Sequence, residues 1–216
     1  MHKVLAAAFA AAFVSRAAIA QAPAPSRFEI MAGVNLAQLT TSADNTGDVS
    51  NRAGLVAGVG LIKPLAPSWS FQPELTYSMK GSKASDAGTT GTLKLSYIEM
   101  PLLLRYDIGS ATSGAYPFIH AGPALALKLS CNFEGTDGTF TVSGSCGDAQ
   151  FGGGDAKTFD LGFMFGGGLA FRHLDHVFSI GVRYNLGLLQ VGEDAGSDAK
   201  NRVLSIVGTF EWPWGK

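Results

Sequence analysis

Cysteine is scarce, with only Cys131 and Cys146 in 216 residues. That excludes a cysteine-rich metal or redox scaffold. Histidine is nearly as scarce, at four residues, so sites built on histidine clusters have little to draw on. His173 and His176 flank Leu174 and Asp175, but a solvated turn accounts for this spacing, and no metal is expected there. Charged residues make up 15% of the chain, against about 25% in an ordinary soluble domain. The net charge is −1, whereas a phosphate-binding surface would be strongly basic. Nucleic acid is therefore not expected as a partner. Long apolar runs are missing too. The longest, VLAAAFAAAFV near the N-terminus, is too short to cross a bilayer as a helix. Beyond it no segment sustains a 3.6-residue period, so helix is at most a minor component. The GlyGlyGly runs at 152–154 and 166–168 open no helix, so neither is a phosphate loop. Nothing resembles a nucleophile elbow. No cofactor is expected.

Glycine, by contrast, is plentiful, at 28 residues, roughly twice its usual share. It opposes long helices and suits tightly curved sheets whose backbones approach closely. The N-terminus has a layout of its own. A basic MHK start precedes the apolar run, and Ala18-Ile19-Ala20 forms a small-x-small site ahead of Gln21. This predicts a cleaved secretory signal peptide over residues 1–20. No cysteine follows the site, so a lipid anchor is not expected. Cleavage would take Lys3 and Arg16 from the 16 basic residues and none of the 17 acidic ones, moving the net charge from −1 to −3.

A repeating rhythm follows. Eight segments alternate apolar and polar residues: Phe28–Leu39, Ala53–Ile62, Trp69–Lys80, Leu93–Ile108, Tyr116–Leu129, Thr158–Phe171, Val177–Leu189 and Arg202–Trp212. In the third, Trp69, Phe71, Leu75, Tyr77 and Met79 oppose Ser70, Gln72, Glu74, Thr76 and Ser78. The seventh sets Phe178, Ile180, Val182, Tyr184 and Leu186 against Ser179, Gly181, Arg183 and Asn185. Such alternation predicts strands with one wet and one dry face. The intervening connections alternate in length. The long ones are 40–52, 81–92, 130–157 and 190–201, and the short ones are 63–68, 109–115 and 172–176. Strands that cross a slab with tight turns on one side produce this asymmetry, as in bacterial outer-membrane barrels.

Three features place the apolar face outward. Its residues are large, and an eight-stranded interior has little room for them. Trp69, Tyr106, Phe171, Phe178, Trp212 and Trp214 fall where strands meet the short turns, as aromatics do at a membrane boundary. The segments also supply the ten or so residues that a tilted strand needs to cross a bilayer. A soluble lipocalin-like barrel around a ligand is the alternative. The expected fold is thus all-β: an eight-stranded antiparallel up-and-down transmembrane β-barrel with short periplasmic turns and long external loops. The expected organisation is a signal peptide (1–20), an extended Pro/Ala leader (21–27), the barrel (28–212) and a C-terminal tail (213–216). Pro73 removes one ladder donor and predicts a bulge or a weakened pairing.

QPELTYSMKG, LSYIEMPLLLRYDI, FIHAGPALAL and GVRYNLGL together resemble the PorT-like family of outer-membrane β-barrel proteins. The resemblance runs from about Phe28 to Trp212, and YIEMPLLLRY is its most specific part. It implies an eight-stranded barrel in the outer membrane of a Gram-negative-type bacterium, mostly without assigned activity. Outer-membrane strands usually close on an aromatic residue read by the assembly machinery. Here Gly215 and Lys216 follow Trp214, so Phe210 and Trp212 are the expected signal.

The remaining candidates are structural. Cys131 and Cys146 share one long loop, and in an exported chain they are expected to form a disulfide. Glu74 is expected roughly opposite Glu99, both inward, with Arg183 reaching across the lumen to form a Glu74–Arg183–Glu99 ionic cluster. Arg105 is a second cation, and Gln72 and Asn185 complete the hydrogen bonds. His120 is expected as an inward filler. These readings predict a non-enzymatic, monomeric barrel with a plugged polar lumen. Its expected partners are outer-membrane lipid, the barrel-assembly machinery during insertion, and an envelope or extracellular protein at the external loops. An accessory role in secretion or transport is the main alternative.

Overall fold

The computed structural model describes residues 25–40, 48–86, 88–109, 114–148, 156–192 and 199–214. The expected signal peptide lies outside the described residues. Nine strands follow in chain order: β1 (Arg27–Thr40), β2 (Asp48–Ala66), β3 (Trp69–Asp86), β4 (Thr89–Asp107), β5 (Gly114–Thr136), β6 (Thr141–Ser145), β7 (Phe159–His173), β8 (His176–Gly187) and β9 (Lys200–Pro213). Eight close a ring in the order β1–β2–β3–β4–β5–β7–β8–β9, antiparallel throughout. The ring closes where β1 meets β9, from Arg27↔Pro213 to Thr40↔Lys200. Closure leaves the ring no unpaired edge.

The alternation resolves with grease outside. Ile30, Leu75, Phe165, Ile180 and Ile206 are 45–56% exposed, whereas Glu29, Gln72, Glu74, Glu99 and Arg105 are at most 3% exposed. In water this arrangement would be inside out, and in lipid it is the stable one. Aromatic pairs gather at the end that carries the short turns and both chain ends. Trp69 packs on Tyr106 at 4.7 Å, Phe28 on Trp212 at 4.9 Å, and Phe178 on Phe210 at 4.8 Å between ring centroids.

Several strands outrun their expected ends, although β8 stops at Gly187, short of the expected Leu189. The 81–92 segment is not a long loop: β3 and β4 stay paired from Ser82↔Leu93 to Asp86↔Thr89. Gly88, at φ +87°, supplies the left-handed turn residue. Residues 130–136 extend β5, and Thr141–Ser145 return along it as β6, a ninth strand that the alternation did not predict. Together β2 (48–51), β3 (82–85), β4 (90–93), β5 (132–136) and β6 form a wall above one side of the barrel. Most of its described side chains are at least partly exposed, although Thr92 is buried and Leu93 packs toward Leu95 and Tyr97, so its sequence has little reason to alternate.

Pro73 weakens the ladder without bulging it. Between β2 and β3 the paired residues stop at Gly60↔Glu74 and resume at Lys63↔Phe71 in unchanged register. Pro101 and Pro123 accompany similar interruptions, between Pro73↔Leu102 and Thr76↔Glu99 and between Pro101↔Ala124 and Leu104↔Ala121. A missing N–H costs a bond but need not shift the register.

Candidate functional site: the charged lumen and the outer wall

Inward positions of neighbouring strands align into rows across the barrel wall. One row holds Glu211 on β9, Glu29 on β1, Gly60 on β2 and Glu74 on β3. The three glutamates are fully or almost fully buried. Gly60 matters because a Cβ there would overlap the Glu29 carboxylate. Its absence lets Glu29 lean across β2. Gln72 Nε2 then donates to both Glu29 Oε1 (2.9 Å) and Glu74 Oε1 (2.8 Å). Arg183, from β8, crosses the lumen and donates from Nη1 to Glu74 Oε2 at 2.6 Å.

The expected single cluster divides in two. Thr76, not Glu74, lies opposite Glu99. Glu99 takes its cation from Lys80, whose Nζ is 2.5 Å from Glu99 Oε1 and 5.0 Å from the Tyr97 ring centroid. Asn185 Nδ2 also points to Glu99 Oε1, at 3.4 Å. Lys80 sits at the next inward position after Ser78, so strand parity alone could have found it. Arg105 joins neither glutamate. It forms a separate knot toward the short-turn end, donating to Asp107 (2.8 Å) and Glu211 (2.9 Å) and lying 4.1 Å above Phe118. Arg27 completes that knot with 2.7 Å to Glu211. Glu29 was missed because the first strand's faces were not assigned, and Arg27 because it was counted in the leader (21–27), whereas β1 begins with it.

Between these charges the lumen is filled by hydrogen-bonded polar and small apolar groups. Ser205 donates to Asn35 Oδ1 at 2.7 Å, and Asn35 Nδ2 donates to Ser78 at 3.0 Å, linking β9, β1 and β3. A cavity of about 10 Å³ remains beside Glu74, Arg183 and Asn185, about the room of one water. His120 is buried against Phe118. His176, the first residue of β8, stacks on Phe210 at 5.3 Å.

The outer wall follows different rules. Cys131 and Cys146 are joined, with Cα atoms 5.3 Å apart, and tie the end of β6 to β5. Lys94 Nζ lies 2.6 Å from Glu134 Oε2, both partly exposed, and this hydrogen bond holds the Glu134 carboxyl below its ordinary range. Asp137 accepts from the backbone N–H groups of Thr139 (2.9 Å) and Phe140 (2.8 Å), which lower it in the same way. An open groove of about 400 Å³ runs past Lys94, Asn132, Glu134 and Ser143. Phe140 and Val142 stand exposed at 72% and 52%.

The profile of the family described as outer membrane protein beta-barrel domain matches residues 19–191. No curated protein matches the sequence. Among solved structures, the outer membrane protein OprG from Pseudomonas aeruginosa is 13% identical with a TM-score of 0.53, over 90% of this chain and 98% of that one. Neisserial surface protein A is 15% identical with a TM-score of 0.47, over 87% and 97% of the two chains. The outer membrane enzyme PagL is 13% identical with a TM-score of 0.37, over 84% and 99%. At these identities the likeness is one of fold, and of these three the match to OprG bears on it.

Proposed function

Because the chain belongs to the outer membrane protein β-barrel domain family, and so to the outer membrane, we propose that it is a non-enzymatic barrel that holds an outer wall clear of the lipid to bind an envelope or extracellular protein. The narrower PorT-like kinship and export by a cleaved signal peptide belong to the same reading. The observation that carries it is the lumen. Arg183 bridges to Glu74 from the opposite side of the ring, and the cavity beside that bridge has room for about one water. A barrel so filled offers no diffusion path and leaves its acids facing each other's cations rather than a substrate. What it presents to the outside is the wall of β2 to β6, with Phe140 and Val142 exposed on it.

Two measurements test this. The purified barrel in planar bilayers should show no sustained pore conductance, and a steady open channel would overturn the plugged reading. A photo-crosslinker at Val142 in intact cells should capture one protein reproducibly, and the same label at lipid-facing Ile180 should not. Equal capture at both positions would remove the wall from the function.

A further inference from the structure

The row Glu211–Glu29–Gly60–Glu74 has a charge deficit that the lumen does not fill. The acids of this connected region are Glu29, Glu74, Asp107 and Glu211. The cations that touch them are Arg27, Arg105 and Arg183. Four negative groups thus share three positive ones. Lys80 and Glu99 pair with each other elsewhere. The shortfall falls on Glu29, which no cation contacts among the described residues. Its Oε1 accepts from Gln72, its Oε2 has no hydrogen-bond partner, and the residue is fully buried. Gln72 Oε1, on the residue that bridges Glu29 and Glu74, is a second buried acceptor without a donor. Facing Glu29 are Glu74 from β3, Glu211 from β9, Arg183 from β8 and Arg105 from β4. His120 on β5 pairs with Arg105 across the ladder, and its Nε2 lies against Gly166, the ladder partner of Arg183.

A buried carboxylate flanked by two others is not left uncompensated. We propose that Glu29 is the seat of one dissociable small cation, a proton or a bare monovalent metal ion, taken up from water as the lumen closes. The missing side chain at Gly60 gives the Glu29 carboxyl its place. Burial of Oε2 rules out a fully hydrated ion there. The ligand completes the charge balance of the row that includes the Glu74–Arg183 plug, and so links the closed lumen to the ionic state of the surroundings.

The full-length barrel in detergent micelles tests this, with Glu29→Gln beside the parent. If the cation is a proton, the parent shows an infrared carboxylic-acid carbonyl band that shifts in heavy water and is absent from Glu29→Gln. Its melting temperature then falls as pH rises, because the folded state holds a proton that the unfolded one releases, and the variant's stays flat. If it is a metal ion, the parent's melting temperature rises with each tenfold increase of sodium over choline, and again Glu29→Gln does not respond. A parent with neither the band nor the sodium dependence overturns the proposal, even if the variant fails to assemble. So does a Glu29→Gln barrel that keeps whichever signal the parent shows.

Discussion

The same strands build two different sheets along their length. Within the membrane span, β3 turns Leu75 to lipid and Glu74 to the lumen, and every second side chain must find a charged or hydrogen-bonded partner inside. Above it, Ser82–Ser85 pair with Thr90–Leu93 in the same register, and the side chains on the β3 side are all at least partly exposed. There the chain relies on ladder hydrogen bonds, a glycine turn and a covalent tie. Burial makes each lumen partner costly to remove, since a stranded ion has no solvent to turn to. Exposure makes each wall contact cheap to remove, since water replaces what is lost. Deletions should therefore unfold the barrel when they fall in the lumen and loosen only the wall when they fall outside.

The largest effect is expected at Arg183. Leucine there strands Glu74 against Glu29, and the loss should be about 3–5 kcal/mol, read as a clear fall in the temperature at which the barrel loses its heat-modifiable gel mobility. Glu74→Gln in the same chain should recover part of it. An Arg183→Leu barrel as stable as the parent would mean that the plug is ornamental. Next comes the disulfide. Cys131 and Cys146 are 15 positions apart, and closing a loop of that size stabilises by about 3 kcal/mol in the chain-entropy account. Replacing both by serine should expose the β5–β6 hairpin to protease while gel mobility and melting of the barrel stay as they were. Cleavage within the barrel strands would break the division between the two sheets.

A smaller effect sits at the short turns. Leu174 has φ 54°, the one non-glycine residue with positive φ among those described, and it is 80% exposed. A leucine in that region costs on the order of 1 kcal/mol, and its side chain gains little from contacts in return. Leu174→Gly should thus leave the barrel equally stable or slightly more so, despite removing an apolar side chain. A drop of several degrees in melting temperature would show that Leu174 is held by lipid rather than merely tolerated.

The two sheets also differ in how far the sequence discloses them. Trp69 to Lys80 could be assigned face by face, because lipid on one side and a narrow lumen on the other force a period of two. That parity put Glu74, Glu99, Arg105 and Arg183 on the inside without any structure. It did not say who meets whom. Pairing in the lumen depends on side chains crossing from strands that are distant in sequence, such as β8 to β3, and on a vacancy at Gly60 that lets Glu29 lean toward Gln72. Ser82–Ser85 and Thr141–Ser145, whose side chains are all at least partly exposed, carry no alternation and look like loops. Only the cysteines marked that region as ordered, through chemistry rather than pattern.

The smallest expected effect sharpens the contrast through pH. Glu134 is held below the ordinary carboxylate range chiefly by its hydrogen bond from Lys94, and Asp137 by the N–H groups of Phe140 and Thr139. A depressed folded value means that the stabilisation is fully present above the unfolded carboxylate pKa and is lost as pH falls through the folded one. Acidification should therefore release the tip of the wall first, while the covalent tie at Cys131–Cys146 keeps β6 near β5. Both acids lie in water, so the change should be confined to amide exchange and chemical shifts of Lys94 and residues 132–145, with no fall in barrel melting. Glu134→Gln should abolish the part of the response that reaches Lys94 and leave the Thr139 and Phe140 amides titrating with Asp137. If acid instead melts the barrel in step with the wall tip, the two sheets are one cooperative unit, and the wall is a continuation of the barrel rather than a surface carried on it.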